Sequence, residues 1–542
     1  MILVIFHWLF LTAFVFLAGN LFFSLIKEKN NSLLNTFLVG FFLTSLVISF
    51  ISINYFFLLL IFFFSIILNF LLVQNKVSLK KITSKIISYK LPTMFLIGST
   101  VLLASFAADW VRDYDSYLYH LQSIKWFETT PFTFGIVNLH QRLAFHSIWF
   151  NWQAVFGFSP VFGFPLPFLN SWSVLMLFCF LVTKEIKQNK ILQYFYSILL
   201  PVLIIIVASD GPLHMILRGY NPDIPAMTLT ILYFVVLSEN KKSKQWLTSL
   251  VLISSIALLI KLSTFPLFFF TLLILFQNKY VVNKNKKLKK ILFITLILSV
   301  LAFITQNIIK SGYLVYPIAL TKLPVPWSEK YADARNMQDV ISVWAKTRTT
   351  DLQYKNIFNL NWLPQWLKIR TVSELALLIS SIIGIFSIVL FGLFSKNNKH
   401  FLQISLFLFI SFSYWFLIAP DFRFGFGILF SILFIIIKMI QVSRLSLPIQ
   451  LALYSIFFAL FIIINPQTRN YIHWIKLVPL FKPLQLEYFP TQKVLINENM
   501  YYLPQDSEER TNYIDFPSSP KINPCLRQKV NTYFQLFYLN CD

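Results

Sequence analysis

Apolar runs of bilayer length, separated by short polar connections, recur along most of the chain. A hydrocarbon core about 30 Å thick asks for roughly 20 apolar residues per helix. Runs of that kind fall at about 2–26, 33–52, 54–73, 91–108, 160–183, 191–209, 224–238, 247–260, 263–277, 291–308, 372–394, 401–419, 424–441 and 449–464. Several are short, so the pattern predicts an all-α polytopic bundle of about 12–14 transmembrane helices. Two connections are much longer and more polar than the rest, 109–155 and 309–371. The second carries Tyr, Trp and Pro clusters of the kind that lie along a membrane interface. The first run has no Lys or Arg ahead of it and no clear small-residue cleavage site, so it does not read as a signal peptide. A membrane domain is thus expected over 1–465, followed by a Pro- and Tyr-rich tail at 466–542. Short β-prone runs such as KVLINEN (Lys493–Asn499) make the tail a strap or small domain. No internal repeat is visible.

Composition agrees: 57% of residues are hydrophobic, 13% are charged and the mean hydropathy is +0.68, which excludes an ordinary soluble domain. The formal charge of +24 suggests a nucleic-acid partner only until the charges are located. Alternate connections, at 27–29, 76–90, 184–190, 239–244, 279–290, 396–400 and 438–444, hold 23 of the 46 Lys and Arg but three acids. Everything else holds the other 23 basic residues with 19 acids, a net of +4 against +20. Positively charged short loops stay in the cytoplasm, so both termini, 109–155, 309–371 and the tail are expected on the outer face. The basic charge is a topology signal, and the partner it implies is the bilayer.

Residues 109–155 concentrate the polar chemistry. Asp109, Arg112, Asp113, Asp115, His120, Glu128, His140, Arg142 and His146 all lie there, and ionisable groups beside a bilayer are a functional hypothesis by default. The spacing predicts a helix from about Tyr114 to Phe127 and another from about Gln141, with Arg142 and His146 one turn apart on one face. Other charges sit at tight turns expected on the same side: Arg218, Asp223 in YNPDIPA, Lys261, and Asp421 with Arg423 in APDFRFG.

An outer loop opening with the acidic pair DYDSYLYH and leading into a juxtamembrane helix is similar to the GT-C superfamily of membrane glycosyltransferases. A closer resemblance is to bacterial multi-spanning GT-C-like proteins. It rests on DS-x-LYHL-x-x-I-x-W (Asp115–Trp126), NLH-x-R-x-x-F (Asn138–Phe145), PDIPA (Pro222–Ala226), KLS-x-x-P (Lys261–Pro266), SGY-x-x-YP (Ser311–Pro317) and PD-x-RF (Pro420–Phe424). Tyr117, where a glycine is common, and Gln141, before Arg142, depart from the pattern. The resemblance implies a GT-C-like bundle in a bacterial inner membrane that uses a polyprenyl-phosphate-linked sugar as donor. It also implies Asp113 or Asp115 as catalytic base, with Asp115 at the matched position.

The chemistry asks for the same residue types. Attack by an acceptor hydroxyl needs a base, worth about 10²–10⁴ in rate, and the departing phosphate needs cations. Arg142, His140, Lys261, Arg423 and Arg218 are the phosphate candidates; His120, His146, Asp223 and Asp421 are further candidates. Each has a plainer reading. Either aspartate of the pair caps the following helix, and Asp223 sits where the helix dipole favours an acid. The histidines are interfacial hydrogen-bonders, Lys261 snorkels, and Asp421 pairs with Arg423. Three histidines near carboxylates permit a divalent metal, but their spacing is no known metal motif. Cys525 and Cys541 are expected to pair as a disulfide if the tail faces an oxidising compartment. Two rivals differ in class. An envelope-polysaccharide (O-antigen-like) polymerase or ligase would depend on Arg335 and Arg348. A transporter would carry its polar residues near mid-bilayer on broken helices, unlike the charges here.

Overall fold

The computed structural model describes residues 1–28, 32–50, 90–109, 111–130, 132–185, 200–202, 204, 211–239, 243–279, 282, 285–356, 359–394, 400–442, 486–505, 508–530 and 534–540. The expected spans at 54–73 and 449–464, and most of 191–209, lie outside them. The apolar runs that are described are helical. In chain order the helices are α1 (Ile2–Leu25), α2 (Leu33–Phe50), α3 (Lys90–Ala107), α4 (Leu121–Thr129), α5 (Ile148–Phe156), α6 (Leu169–Glu185), α7 (Gly211–Leu217) and α8 (Asp223–Leu237). They continue as α9 (Lys244–Ile260), α10 (Phe265–Gln277), α11 (Lys286–Ser311), α12 (Tyr331–Thr347), α13 (Leu363–Lys368), α14 (Val372–Phe394), α15 (His400–Ile418) and α16 (Phe422–Val442). Among the described residues, six helices (α1, α2, α11, α14, α15 and α16) are long and apolar enough to cross a membrane. The protein is a multi-pass helical membrane protein.

Local sequence sets the helix ends. Ser243 and Asn285 accept the Trp246 and Leu288 N–H groups at the starts of α9 and α11, at 3.2 and 2.9 Å. Thr371 and Glu374 form a reciprocal capping box on α14: the Thr371 N–H donates to Glu374 at 2.9 Å and the Glu374 N–H donates to Thr371 at 3.2 Å. Every residue of α8 is buried, as expected of a helix that is apolar all round. It packs on α6, α9 and α16, while α9 also touches α2, α10 and α11. These two short helices are the centre of the bundle. At the α1–α2 crossing the backbones nearly touch, since a Cβ on Gly19 or Gly40 would stand 1.9 Å from a carbonyl oxygen of the other helix.

Three expected helices differ. The 160–183 run is broken in two: a single helical turn, Ser159–Phe162, ends at Gly163 with a left-handed φ of 79°, and the long helix begins only at Leu169, after Pro165 and Pro167. The segment after Asp115 opens as a π-turn, Ser116–His120, before α4. Arg142 and His146 do not share a helix. Gln141–Ala144 is a 3-10 turn, Phe145 is extended, and Ser147 starts α5 by accepting the Trp149 N–H at 3.2 Å.

The two ends of the bundle are chemically distinct. Lys244 pairs with Glu28, and Lys287 donates to the Ile26 carbonyl at 3.0 Å. Connections grouped by charge thus meet at the start of α9. The other end, beyond Ile260, carries both long loops and is called the loop face below. The tail lies against it. Strand β1 (Phe132–Phe134) in the first loop pairs in parallel with β5 (Phe534–Leu539), and β5 pairs antiparallel with β4 (Leu526–Val530). A hairpin of β2 (Thr491–Ile496) and β3 (Asn499–Pro504) turns through Asn497 and Glu498, both at positive φ. The KVLINEN run falls on this hairpin. Gln122 fastens the tail to α4: its amide donates to the Asn512 and Asp515 carbonyls at 2.7 and 3.1 Å and accepts the Ser518 N–H at 3.1 Å. Cys525 is disulfide-bonded; Cys541 lies outside the described residues.

Candidate functional site

The loop-face ends of α8, α9, α11, α15 and α16 meet the two long loops around a cavity of about 380 Å³. Seven of the residues singled out in the sequence line it: Asp115, Arg142, His146, Asp223, Lys261, Asp421 and Arg423. They come from five stretches of the chain, 115, 142–146, 223, 261 and 421–423. Their convergence is therefore a product of the fold.

Asp115 is the hinge of the polar wall. Arg142 Nη1 lies 3.3 Å from its Oδ1 and Arg423 Nη1 lies 2.9 Å from its Oδ2. Arg423 continues the chain, with its Nε 3.6 Å from Asp421 Oδ2 and its backbone N–H donating to Asp421 Oδ1 at 3.1 Å. Arg348, at the end of α12, closes on the same Asp421 oxygen at 2.8 Å. Five alternating charges thus run Arg348–Asp421–Arg423–Asp115–Arg142. Burial alone would raise the Asp115 carboxyl, but the Arg423 guanidinium, with Arg142 beside it, holds it below the usual carboxylate range. Asp421 is likewise lowered against its burial, by Arg423 and Arg348. Lys261 caps the crest between α9 and α10, forms an ion pair with Asp223 and stands 3.9 Å above the Phe424 ring.

The remaining candidates are placed elsewhere. Asp113 does not line the cavity; it is buried behind Asp115, accepts the Ser116 hydroxyl at 2.9 Å and faces His120 Nδ1 at 3.5 Å. Burial and the neighbouring Asp115 charge raise its carboxyl. Gly219 closes this pocket, where a Cβ would come within 2.9 Å of the Ser116 hydroxyl. Burial lowers His120 and His140 to about 3, so both are neutral imidazoles. His140 lies outside the cavity, and Arg218 is turned away to an ion pair with Asp109. His146 is a cavity residue, buried against Phe303, with neither ring nitrogen hydrogen-bonded among the described residues. The capping reading does not hold for Asp115, whose side chain accepts no helix-start N–H. Asp223 does stand in the first turn of α8, where the helix dipole favours an acid, and its N–H is accepted by Asn221 at 2.7 Å.

Sequence reasoning missed the rest of the enclosure. Helix α12 lays Met337, Ile341 and Trp344 along the cavity, and Tyr119, Asn307, Tyr316 and Tyr414 complete its walls. The signal was present, since Met337, Ile341 and Trp344 recur at i, i+4 and i+7. The turn bearing Asp421 is pinned by two indoles: Trp366 Nε1 donates to the Pro420 carbonyl and Trp415 Nε1 to that of Asp421, both at 2.7 Å. Arg335 stays on the exposed face of α12, 3.7 Å from Asp339. Among the described residues no three His, Cys, Asp or Glu side chains converge as a metal site.

A family model described as a domain of unknown function (DUF8201) matches residues 1–430. The chain belongs to this family. All the cavity-lining residues fall inside the matched region, and the described β-strands of the tail, from Thr491 on, lie beyond it. No curated protein and no solved structure matches the chain.

Proposed function

We propose that the protein moves a sugar from a polyprenyl-phosphate donor to a glycan, lipid or protein acceptor in the cell envelope. It would act from the outer face of a bacterial cytoplasmic membrane, as its resemblance to the GT-C glycosyltransferases implies. The observation that carries the reading is Asp115, ionised and held between Arg142 and Arg423 on the wall of a cavity rich in aromatic side chains. A carboxylate beside two guanidiniums is the pairing that base-assisted displacement of a phosphate needs. The acceptor hydroxyl gives its proton to Asp115 while its oxygen bonds to the anomeric carbon. The bond from that carbon to the phosphate oxygen breaks, and its electron pair leaves with the phosphate, beside Arg142 and Arg423. Aromatic walls suit both an isoprenyl chain and the apolar face of a sugar ring.

Asp115→Asn tests this. It keeps the side chain's size and removes its basicity, and Asp421 still partners Arg423. Release of polyprenyl phosphate from a polyprenyl-phosphate sugar is expected to fall by a hundredfold or more, within the roughly 10²–10⁴ range for acid–base groups. Thermal unfolding should stay near that of the wild type. Asp113→Asn, behind the wall, is expected to keep most activity. One observation favours the polymerase or ligase reading: Arg348, from the second long loop, reaches the site through Asp421. Near-normal transfer by Asp115→Asn, Asp113→Asn and the double variant would move that reading ahead.

A further inference from the structure

We infer that Arg142 and Arg423 exchange partners during the reaction, passing from the Asp115 carboxylate to the donor phosphate, so that the lipid-phosphate product is held by the form of the site in which Asp115 is protonated. This rests on the phosphate-donor reading and adds the device that switches the base on.

Both Asp115 oxygens are occupied by guanidinium donors before any substrate arrives. A carboxylate so clamped is a poor base; to take a proton it must lose its cations. Those cations have donors to spare. Each guanidinium carries five N–H groups, and both border the same cavity as Asp115. The side chain of Arg142 is 34% exposed, so its unused donors are within reach of a ligand. Asp421, itself held by Arg348, keeps hold of Arg423 from the other side and limits how far it swings.

The charge balance of the transfer calls for this movement. A polyprenyl-phosphate sugar is a phosphodiester with one negative charge, and Asp115 supplies a second. After transfer the lipid phosphate is a monoester with two, and Asp115, having taken the acceptor's proton, is neutral. One negative charge has moved from carboxylate to phosphate while the total is unchanged. Guanidiniums between the two sites can follow it without a net change in the site's charge. The other groups around Asp115 do not follow it: Asp113, Tyr119 and His120 lie on its own segment, and Lys261 is tied to Asp223. The lipid-phosphate product therefore binds with uptake of one proton by Asp115, and without substrate the base stays quenched.

The test is the affinity of the full-length protein in nanodiscs for farnesyl phosphate, measured for the wild type, Asp115→Asn, Asp115→Ala and the Arg142→Gln/Arg423→Gln double variant. Thermal unfolding of each establishes that it is folded, and the alanine variant stands in if the asparagine one is not. Removing the carboxylate frees both arginines without a proton. The Asp115 variant is expected to bind roughly tenfold or more tightly than the wild type at about pH 8, with the ratio shrinking toward about pH 6. Ionisation of the ligand's own phosphate is common to both proteins and cancels in that ratio. Equal or weaker binding by the Asp115 variants, or a ratio that does not change with pH, overturns partner exchange. Wild-type affinity in the double arginine variant would instead overturn the phosphate site itself.

Discussion

Asp113 and Asp115 show how far residue-level reading goes. Near a helix start, two residues apart means roughly 200° of rotation, so one aspartate can face a cavity while its neighbour is sealed behind it. Their chemistry and proximity were legible in the sequence. Which one faces the cavity was not, because that depends on the π-turn at Ser116–His120 and on Gly219 closing the pocket behind Asp113. Glu329, not singled out in the sequence, gives a prediction at the same scale. It is 4% exposed, accepts the Gln141 amide at 2.5 Å and is pushed up to about 7 by burial. A carboxyl whose folded pKa lies above its unfolded value favours folding below the unfolded value, near 4.5. That contribution is lost as pH rises toward 7. Glu329→Gln keeps the acceptor for Gln141 and removes the charge. It should raise stability at about pH 8, by up to the order of 3 kcal/mol and read as a higher thermal midpoint, and leave it unchanged near pH 4.5. A destabilised variant at the higher pH would show that Glu329 is held as a paired anion.

Among the elements, the spans were the most legible part, because a bilayer imposes a length and an apolar run of that length has few other uses. What the runs leave open is how closely helices approach. Gly19 and Gly40 look ordinary in the sequence, yet they let α1 and α2 touch backbone to backbone. Gly40→Ala must push Val15 away and is expected to cost about 1–3 kcal/mol, as overpacking does, read as a lower thermal midpoint. A midpoint unchanged from the wild type would mean that the crossing gives way freely. Helix α12 was hidden for a different reason. Its apolar stripe is short, faces a cavity instead of a packed core, and sits in a loop whose overall polarity dominates a window average. The Ser147 cap was equally local, and it separates His146 from the turn that holds Arg142.

At the scale of the whole molecule, the charge rule and the structure agree on which connections belong together. Glu28, Lys244 and Lys287 meet at one end of α9, while Asp115, Arg142, Arg348, Asp421 and Arg423 meet beyond the other. The basic loops predict which end faces outward, and single-cysteine labelling tests it. A cysteine at position 335, on the exposed side of α12, should react with an impermeant reagent in intact cells. One at position 287 should react only after permeabilisation, and the reverse pattern would invert the topology. The convergence of these five chain segments on one cavity was beyond the sequence. Short motifs flag residues worth asking about, but only the packing of α8 and α9 at the centre brings Lys261, Arg423 and Asp115 to one wall.

The most direct measurement is an experimental structure of the protein with a polyprenyl-phosphate sugar bound to the Asp115→Asn variant, which removes the proposed base. The account predicts phosphate oxygens at charge-assisted hydrogen-bond distance, about 2.7–2.9 Å, from both Arg142 and Arg423. It also predicts the sugar inside the aromatic-walled cavity, with its anomeric carbon facing residue 115. A phosphate seated away from both arginines, or a sugar outside the cavity, would contradict it.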